Sequence, residues 1–302
     1  MAVALKDHLA SIRLSYLCHR MPGLRWLGRS ILPQVYFRWI KLLARIAYYA
    51  YPGDRRRLRH MRKATGTICS AAQLRSLGIK NIAYRQWMKV LTHGWPSWAE
   101  NCQEWVVLRG EEHLTKALDQ GDGAVLLSGH SYGFSSMVCP VLSQMGFRLF
   151  RMGRGAYGDP AKRWGREWVY EHWDYDAYGQ DFWQSLRALN KMRHAIEKNG
   201  AVHLLVRGFP QGDPRLEIDF YYKRFFLDPF TFRIIETLRA PVLPCFPLCD
   251  DSGRLVITLY PPLAPSTDEV MPVFGPLYSK HLKERPEFAV FWRKLAQQKE
   301  GW

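Results

Sequence analysis

The pattern that most constrains the fold is an alternation, from about residue 120 onward, of short apolar runs with segments of helical character. The predicted strands are residues 124–128, 147–152, 201–206, 241–246 and 255–260, and the predicted helices are 111–119, 160–173, 181–198, 230–239 and 277–296. Strands that alternate with helices are typical of α/β proteins, in which helices cover both faces of a sheet. We therefore expect an α/β fold with a mixed sheet flanked by helices.

Size and composition favour one large catalytic domain. The chain has 302 residues, of which 47% are hydrophobic and 23% charged, so it can bury a sizeable core. Residues 66–118 look mostly helical, and no linker or internal repeat interrupts the rest of the chain. The expected organisation is an N-terminal helical region, residues 1–65, followed by an α/β domain, residues 66–302.

Residues 31–51 have the pattern of an amphipathic helix. The polar residues Gln34, Arg38, Lys41 and Arg45 are spaced four, three and four apart, so a helix places them on one face. A basic cluster follows at 55–63. This combination is typical of a helix that lies in the membrane interface. A helix packed on the core of the domain would show the same pattern, and one helix could do both. No run of 18 uncharged apolar residues is present, so no membrane span is expected.

The formal net charge of +16 predicts acidic partners, such as phosphate groups, an anionic membrane surface or an acidic carrier protein. No nucleic-acid-binding signature is visible, so nucleic acid is not an expected partner. The 6 cysteines are scattered along the chain, which is typical of reduced thiols, and their spacing predicts no metal site.

The strongest local signal is the apolar run 124–127 followed by Ser128-Gly129-His130. Such a run predicts a buried strand that delivers His130 to a site at its end. The residues Gly129-His130-Ser131-Tyr132-Gly133 also satisfy the G-x-S-x-G nucleophile elbow of serine hydrolases. In that interpretation Ser131 is the nucleophile, residues 93–96 (His-Gly-Trp-Pro) form an oxyanion loop, and His281 is a candidate base. The short separation between the two motifs argues against it.

Residues 153–158 fit the G-x-G-x-x-G pattern of dinucleotide-binding loops. That pattern also requires a carboxylate about 20 residues later at the end of the next strand. Asp174, Asp176 and Asp181 lie nearby, but their surroundings do not predict a strand. A basic glycine loop at the rim of a site is the favoured interpretation.

Several segments together carry a family resemblance over roughly residues 105–295. They are Arg109-Gly110-Glu111-Glu112-His113-Leu114, the run 121–130 that ends in Gly129-His130, Asn199-Gly200-Ala201-Val202, Phe225-Phe226, Ala240-Pro241-Val242-Leu243-Pro244, Gly253-Arg254-Leu255, Pro261-Pro262-Leu263, Glu284-Arg285-Pro286-Glu287 and Phe291-Trp292-Arg293. In order and spacing the chain resembles the bacterial lipid A lauroyl/myristoyl acyltransferases, which belong to the glycerolipid-type (lysophospholipid) acyltransferases.

The resemblance implies transfer of a fatty acyl group to a hydroxyl or amine of a lipid acceptor. The donor would be a thioester of acyl carrier protein or coenzyme A, with no other cofactor. It further implies a peripheral membrane protein on the cytoplasmic face of the bacterial inner membrane, acting in lipid biosynthesis.

For the site, the resemblance implies that His130 is the general base, since a neutral imidazole takes a hydroxyl proton near pH 7. The family places a carboxylate five residues later to orient this base, whereas this chain has Ser135. Either Ser135 or another acid would then support His130. The acids to consider are Asp159, Asp213, Glu217 and Asp219.

Arginines that follow predicted strands are candidates for substrate phosphate, because the guanidinium group binds phosphate in a bidentate manner. These arginines are Arg151, Arg154 and Arg207. Two alternatives stay open. One is a serine esterase or thioesterase that uses Ser131, and the other is a non-catalytic, lipid-binding relative.

Overall fold

A computed structural model describes most of the chain. The described residues are 33–50, 52–65, 69–131, 134–153, 170–174, 182–209, 211–221, 223–289 and 292. The helices are α1 (Pro33–Ala50), α2 (Pro52–Thr65), α3 (Ala71–Trp98), α4 (Glu111–Asp119), α5 (Val138–Gln144), α6 (Phe182–Glu197), α7 (Pro229–Leu238) and α8 (Thr267–Glu284). The strands are β1 (Val106–Arg109), β2 (Ala124–Gly129), β3 (Leu149–Gly153), β4 (Tyr170–Asp174), β5 (Ala201–Val206), β6 (Gly208–Phe209), β7 (Glu217–Phe220), β8 (Lys223–Leu227), β9 (Val242–Cys249) and β10 (Leu255–Leu259).

The principal sheet has seven strands in the order β1-β10-β9-β2-β5-β3-β4. Neighbouring strands are parallel except β9 and β10, which are antiparallel. The strand β2 is central, and all of its residues are buried, as expected for a strand covered on both faces. A second, antiparallel sheet of three strands has the order β6-β8-β7. The predicted mixed α/β sheet is confirmed.

Helices cover both faces of the principal sheet, as the alternating pattern predicted. One apolar cluster joins α1, α3, α4 and α5 to one face, and the other joins α6, α7 and α8 to the opposite face. Alternate residues of β2 enter the two clusters: Ala124 and Leu126 belong to the first, and Val125 and Leu127 belong to the second. This alternation explains why the run 124–127 is apolar throughout.

All five predicted strands are confirmed, but two helix predictions are wrong in part. The end of predicted helix 160–173 is strand β4, which pairs with β3, while residues 160–169 lie outside the described part. Predicted helix 277–296 is replaced by α8, which begins ten residues earlier and is followed by the 3₁₀ turn Pro286–Phe288. The Ser266 hydroxyl caps α8 by accepting from the Glu269 N–H. Pro272 and Pro276 lie within α8 and are exposed, so carbonyls without a helical N–H can reach water.

The helix α1 confirms the predicted N-terminal helix and has two apolar sides. On one side Phe37, Ile40 and Ala44 are buried, and the Phe37 ring lies 5.3 Å from that of Tyr84 and 5.5 Å from that of Trp87. The other side exposes large apolar residues. They are Val35, Trp39, Leu42, Leu43, Ile46 and Tyr49, with Trp39 61% exposed. No helix in the described ranges is long and apolar enough to cross a membrane.

Candidate active site

His130 stands directly after the central strand β2. The last pair between β2 and β5 is Gly129 with Val206, and His130 and Arg207 are the next residue of each chain segment. Both side chains are half-buried. The carboxyl ends of neighbouring parallel strands meet at one sheet edge, which is where α/β proteins place their sites. The predicted delivery of His130 to the end of a buried strand is confirmed.

The turn after His130 is closed by two serine hydroxyl groups. Ser135 is 1% exposed, and its hydroxyl donates to the Gly129 carbonyl over 3.0 Å. The Ser131 hydroxyl lies 3.1 Å from the Ser135 hydroxyl and 3.2 Å from the Pro247 carbonyl oxygen. The 3₁₀ turn Phe134–Met137 begins here. Ser135, at the position where the resembling family has an acid, therefore ties the turn back onto β2.

A buried polar cluster lies beneath this turn, and sequence reasoning missed its centre, His203. The His203 Nε2 atom lies 2.9 Å from the Ser128 hydroxyl, and Nδ1 lies 3.6 Å from the Cys139 sulfur. Burial, with smaller effects from the charges of Arg151 and His130, holds the pKa of His203 well below 6.5. His203 is therefore neutral at pH 7. Its signal in the sequence was a single polar side chain inside the apolar strand β5.

Arg151 is part of this cluster rather than of the protein surface. It is the cross-strand neighbour of His203 and is only 6% exposed. Its Nη1 atom donates to the Ser136 carbonyl over 2.9 Å, while its buried Nε has no hydrogen-bond partner. Arg151 thus fastens the turn that carries Ser135. Of the other predicted phosphate ligands, Arg207 follows β5 at the site edge, and Arg154 lies outside the described residues.

Of the acids considered as partners of His130, Asp213 and Glu217 pair with arginines instead, and Asp219 lines a separate groove. Asp213 pairs with Arg215 at 2.7 Å, and Glu217 pairs with Arg224 at 3.3 Å. Glu217 and Asp219 line a groove of about 770 Å³ between β7 and α8. Asp159 lies outside the described residues.

A different acid, Glu287, belongs to residues 286–289, which pack on the turn that carries Ser131 and Ser135. Ala289 forms a β-bridge with Ser131, and the Phe288 ring packs edge-on against Phe134. Glu287 itself is 3% exposed and pairs with Arg285 at 2.8 Å. Its charge is therefore already balanced by a guanidinium group.

The predicted oxyanion loop is wrong, because residues 93–96 form part of α3. Backbone N–H groups inside a helix bond to carbonyls four residues earlier and do not bind an oxyanion. The candidate base His281 stacks on Phe246 at 4.4 Å, and its Nε2 lies 3.2 Å from the Tyr260 hydroxyl. None of these contacts involves Ser131, whose hydroxyl lies near the Ser135 hydroxyl and the Pro247 carbonyl.

The glycine-rich stretch 153–158 begins at Gly153, the last residue of β3, and its remaining residues lie outside the described part. Contrary to the sequence interpretation, residues 170–174 do form a strand, and β4 ends at Asp174 beside β3. One condition of the dinucleotide pattern is therefore met. Its glycine loop stays a prediction.

The family comparison agrees with this geometry. Residues 83–287, more than half of the chain, match the family model described as bacterial lipid A biosynthesis acyltransferase. The match runs from within α3 to the turn that packs on Phe134, and it includes His130, Ser135 and His203. No curated protein matches the chain. The chain belongs to the bacterial lipid A biosynthesis acyltransferase family, and it is an acyltransferase that acts on a lipid acceptor.

Proposed function

We propose that the enzyme transfers a fatty acyl group from a thioester of acyl carrier protein or coenzyme A to a hydroxyl or amine of its lipid acceptor, with His130 as the general base. The observation that carries this proposal is the position of His130. It follows the central strand at the carboxyl edge of the sheet and remains half-buried, so a substrate can reach it.

The proposed reaction needs only one proton carrier. The neutral imidazole of His130 takes the proton of the acceptor hydroxyl while the oxygen attacks the thioester carbonyl. The carbon–sulfur bond then breaks, and the imidazolium returns its proton to the leaving thiolate. The products are an ester and a free thiol. Because His203 stays neutral beneath the site, it adds no positive charge that would oppose protonation of His130.

The exposed side of α1 supports a peripheral membrane location. It offers large apolar residues to a bilayer, while Arg38, Lys41 and Arg45 are also exposed and can meet anionic headgroups. We place the enzyme on the cytoplasmic face of the inner membrane, where its lipid acceptor and a soluble thioester donor can meet. Arg207 and Arg154 are the proposed contacts to substrate phosphate.

The test is transfer of a labelled acyl group from acyl carrier protein or coenzyme A to total membrane lipids. We expect that His130→Ala forms no labelled lipid. We expect that Ser131→Ala still forms it, although this variant should be less stable than the wild type. His194→Ala, a change at an exposed histidine of α6, is the matched control. Free fatty acid as the main product, together with loss of activity in Ser131→Ala, would instead assign the hydrolase function.

The position of Ser135 favours one second candidate, a lipid-binding relative without turnover. Its hydroxyl is committed to the Gly129 carbonyl and carries no charge that would stabilise an imidazolium. This candidate predicts binding of lipid vesicles that is unchanged in His130→Ala, with no transfer from either donor by the wild type.

A further inference from the structure

His130 and Arg207 are directed to the same face at the carboxyl edge of the sheet. Side chains alternate along a strand, and Leu126 of β2 packs in the apolar cluster with α1, α3, α4 and α5. His130 comes an even number of residues later and is therefore directed to that face. In β5, Ala201 packs in the same cluster, so Arg207 is directed to it as well.

The strand register places the two side chains next to each other. The last pair of β2 with β5 directly precedes them, so they occupy the next rung of this parallel ladder, where neighbouring strands lie about 4.8 Å apart. Contact across the two strands on this face is already present one step earlier, where Ser128 lies 2.9 Å from His203. An anion bound by the Arg207 guanidinium group would therefore lie beside a nucleophile at the His130 imidazole.

The described residues around His130 are mainly basic. Arg151, buried on the same face, donates to a carbonyl oxygen rather than to a carboxylate. Ser135, at the position where the family pattern has an acid, carries no charge. The buried acid of the neighbouring turn, Glu287, already pairs with Arg285. A negative charge that could balance an imidazolium must therefore come from elsewhere.

We propose that the acceptor carries an anionic group, a phosphate or a carboxylate, on the carbon next to the one that bears its hydroxyl or amine, and that Arg207 binds this anion. This inference rests on the proposed function of His130. When His130 takes the acceptor proton, it becomes a cation beside a second cation, which opposes the transfer. A bound anion neutralises Arg207 and stabilises the imidazolium. The acceptor itself then supplies the charge that residue 135 lacks.

The first test compares matched acceptors, with the thioester donor that labels total membrane lipids. The phosphate pair is 1-acylglycerol 3-phosphate and 1-acylglycerol. The carboxylate pair is N-acylserine and N-acylethanolamine. In the wild type, we expect kcat to be at least about 50-fold higher for the anionic member of one pair than for its neutral member. The pair that shows this preference identifies the anion as a phosphate or a carboxylate.

The second test removes the charge of Arg207. In Arg207→Gln, kcat for the preferred anionic acceptor should fall at least about 20-fold, whereas kcat for its neutral counterpart should not fall, because the cation beside the imidazolium is gone. Activity on the neutral acceptor also reports that the variant is folded. Arg207→Lys should keep a preference for the anion. Arg187→Gln, at an exposed arginine of α6, is the matched control and should behave like the wild type.

Equal kcat values for the two members of both pairs in the wild type would overturn the proposal. An equal loss of kcat for the anionic and neutral acceptors in Arg207→Gln would also overturn it. Both results leave the proposed function intact as long as His130→Ala forms no labelled lipid. Full turnover in His130→Ala would instead refute the general base, and with it the role of the acceptor anion, whichever acceptor is preferred.

Discussion

At the scale of single residues, three positions at the end of β2 have separate tasks. Gly129 leaves room for the Tyr278 ring, His130 reaches the edge of the sheet, and Ser135 returns a hydrogen bond to Gly129. The family pattern identifies His130, but it does not reveal the hydrogen bonds of Ser135. Those bonds decide what a substitution at residue 135 would do.

Replacing Ser135 by aspartate restores the residue type of the family pattern, yet we expect no gain in acyl transfer. The carboxylate would be buried beside the Gly129 carbonyl, which repels it, so the free energy of unfolding should fall by about 1–3 kcal/mol. Chemical denaturation and the transfer assay measure both effects. Ser135→Ala, which adds no charge, is the control. Transfer faster than that of the wild type would mean that the aspartate reaches His130 and orients it, as the carboxylate of the family pattern does.

His203 should make stability depend on pH. Its pKa in the folded protein lies well below 6.5, so between that value and about 6.5 the unfolded chain binds a proton that the folded protein does not. The stabilisation is therefore fully present above pH 6.5 and declines as the pH falls, by up to about 1.4 kcal/mol per pH unit. Ser128, Cys139, Arg151 and His130 face this ring.

The measurement is urea denaturation between about pH 5 and 7, with His203→Gln compared against His194→Gln. His203→Gln should reduce the slope of unfolding free energy against pH, whatever its effect on stability at pH 7. Part of the slope should remain, since burial also lowers the pKa of His281. Equal slopes in all proteins would show that the pKa of His203 is the same in the folded and the unfolded states.

At the scale of elements, α1 does two things that its sequence pattern left open. One side packs on α3, and the turn between β9 and β10 is joined to it through Lys41, whose Nζ donates to the Asp251 carbonyl over 3.0 Å. The other side leaves Trp39 and Ile46 about 60% exposed, at 61% and 59%. The two sides should therefore respond separately to substitution.

Substitutions on the two sides of α1 should affect different properties, namely vesicle binding for the exposed side and stability for the buried side. Trp39→Ser with Ile46→Ser should weaken binding to vesicles containing anionic phosphatidylglycerol at least about tenfold, with little change in unfolding free energy. Phe37→Ala should lower the unfolding free energy by about 3–5 kcal/mol and leave vesicle binding intact under native conditions. Leu186→Ser, at an exposed leucine of α6, is the control for loss of a surface apolar group. Equal vesicle binding by the double variant and the wild type would assign the exposed side to another partner.

At the scale of the whole molecule, the N-terminal helix is part of the core of the sheet domain. Phe37 fits against Gly253, where a Cβ atom would lie 2.7 Å from the Phe37 side chain. The same apolar cluster continues through Trp87 and Leu126 to β2. A boundary near residue 65 is therefore a boundary in sequence pattern, and it crosses a continuous set of packed side chains.

Removing residues 1–65 should destabilise the remaining chain by more than about 5 kcal/mol, because the burial of Phe37, Ile40 and Ala44 is lost and the rings of Tyr84 and Trp87 become exposed. Denaturant unfolding of the full and shortened chains measures the difference, and Phe37→Ala should give an intermediate value. A shortened chain with unchanged stability would show that residues 66–302 fold as an independent domain.

The sequence by itself determined the α/β class, the five predicted strands and the position of His130, because each depends on a local pattern of apolar and polar residues. It also indicated both possible roles of α1, since an amphipathic period specifies faces but not what covers them. The first half of α8 was not predicted, because Pro272 and Pro276 lie within it and a proline in the sequence is typical of a helix start. His203, Arg151 and Tyr278 come from separate segments, and no local period links them to His130. Only the order of the strands and the packing of α8 on the sheet brought these residues together, because contacts between segments distant in the chain depend on tertiary packing.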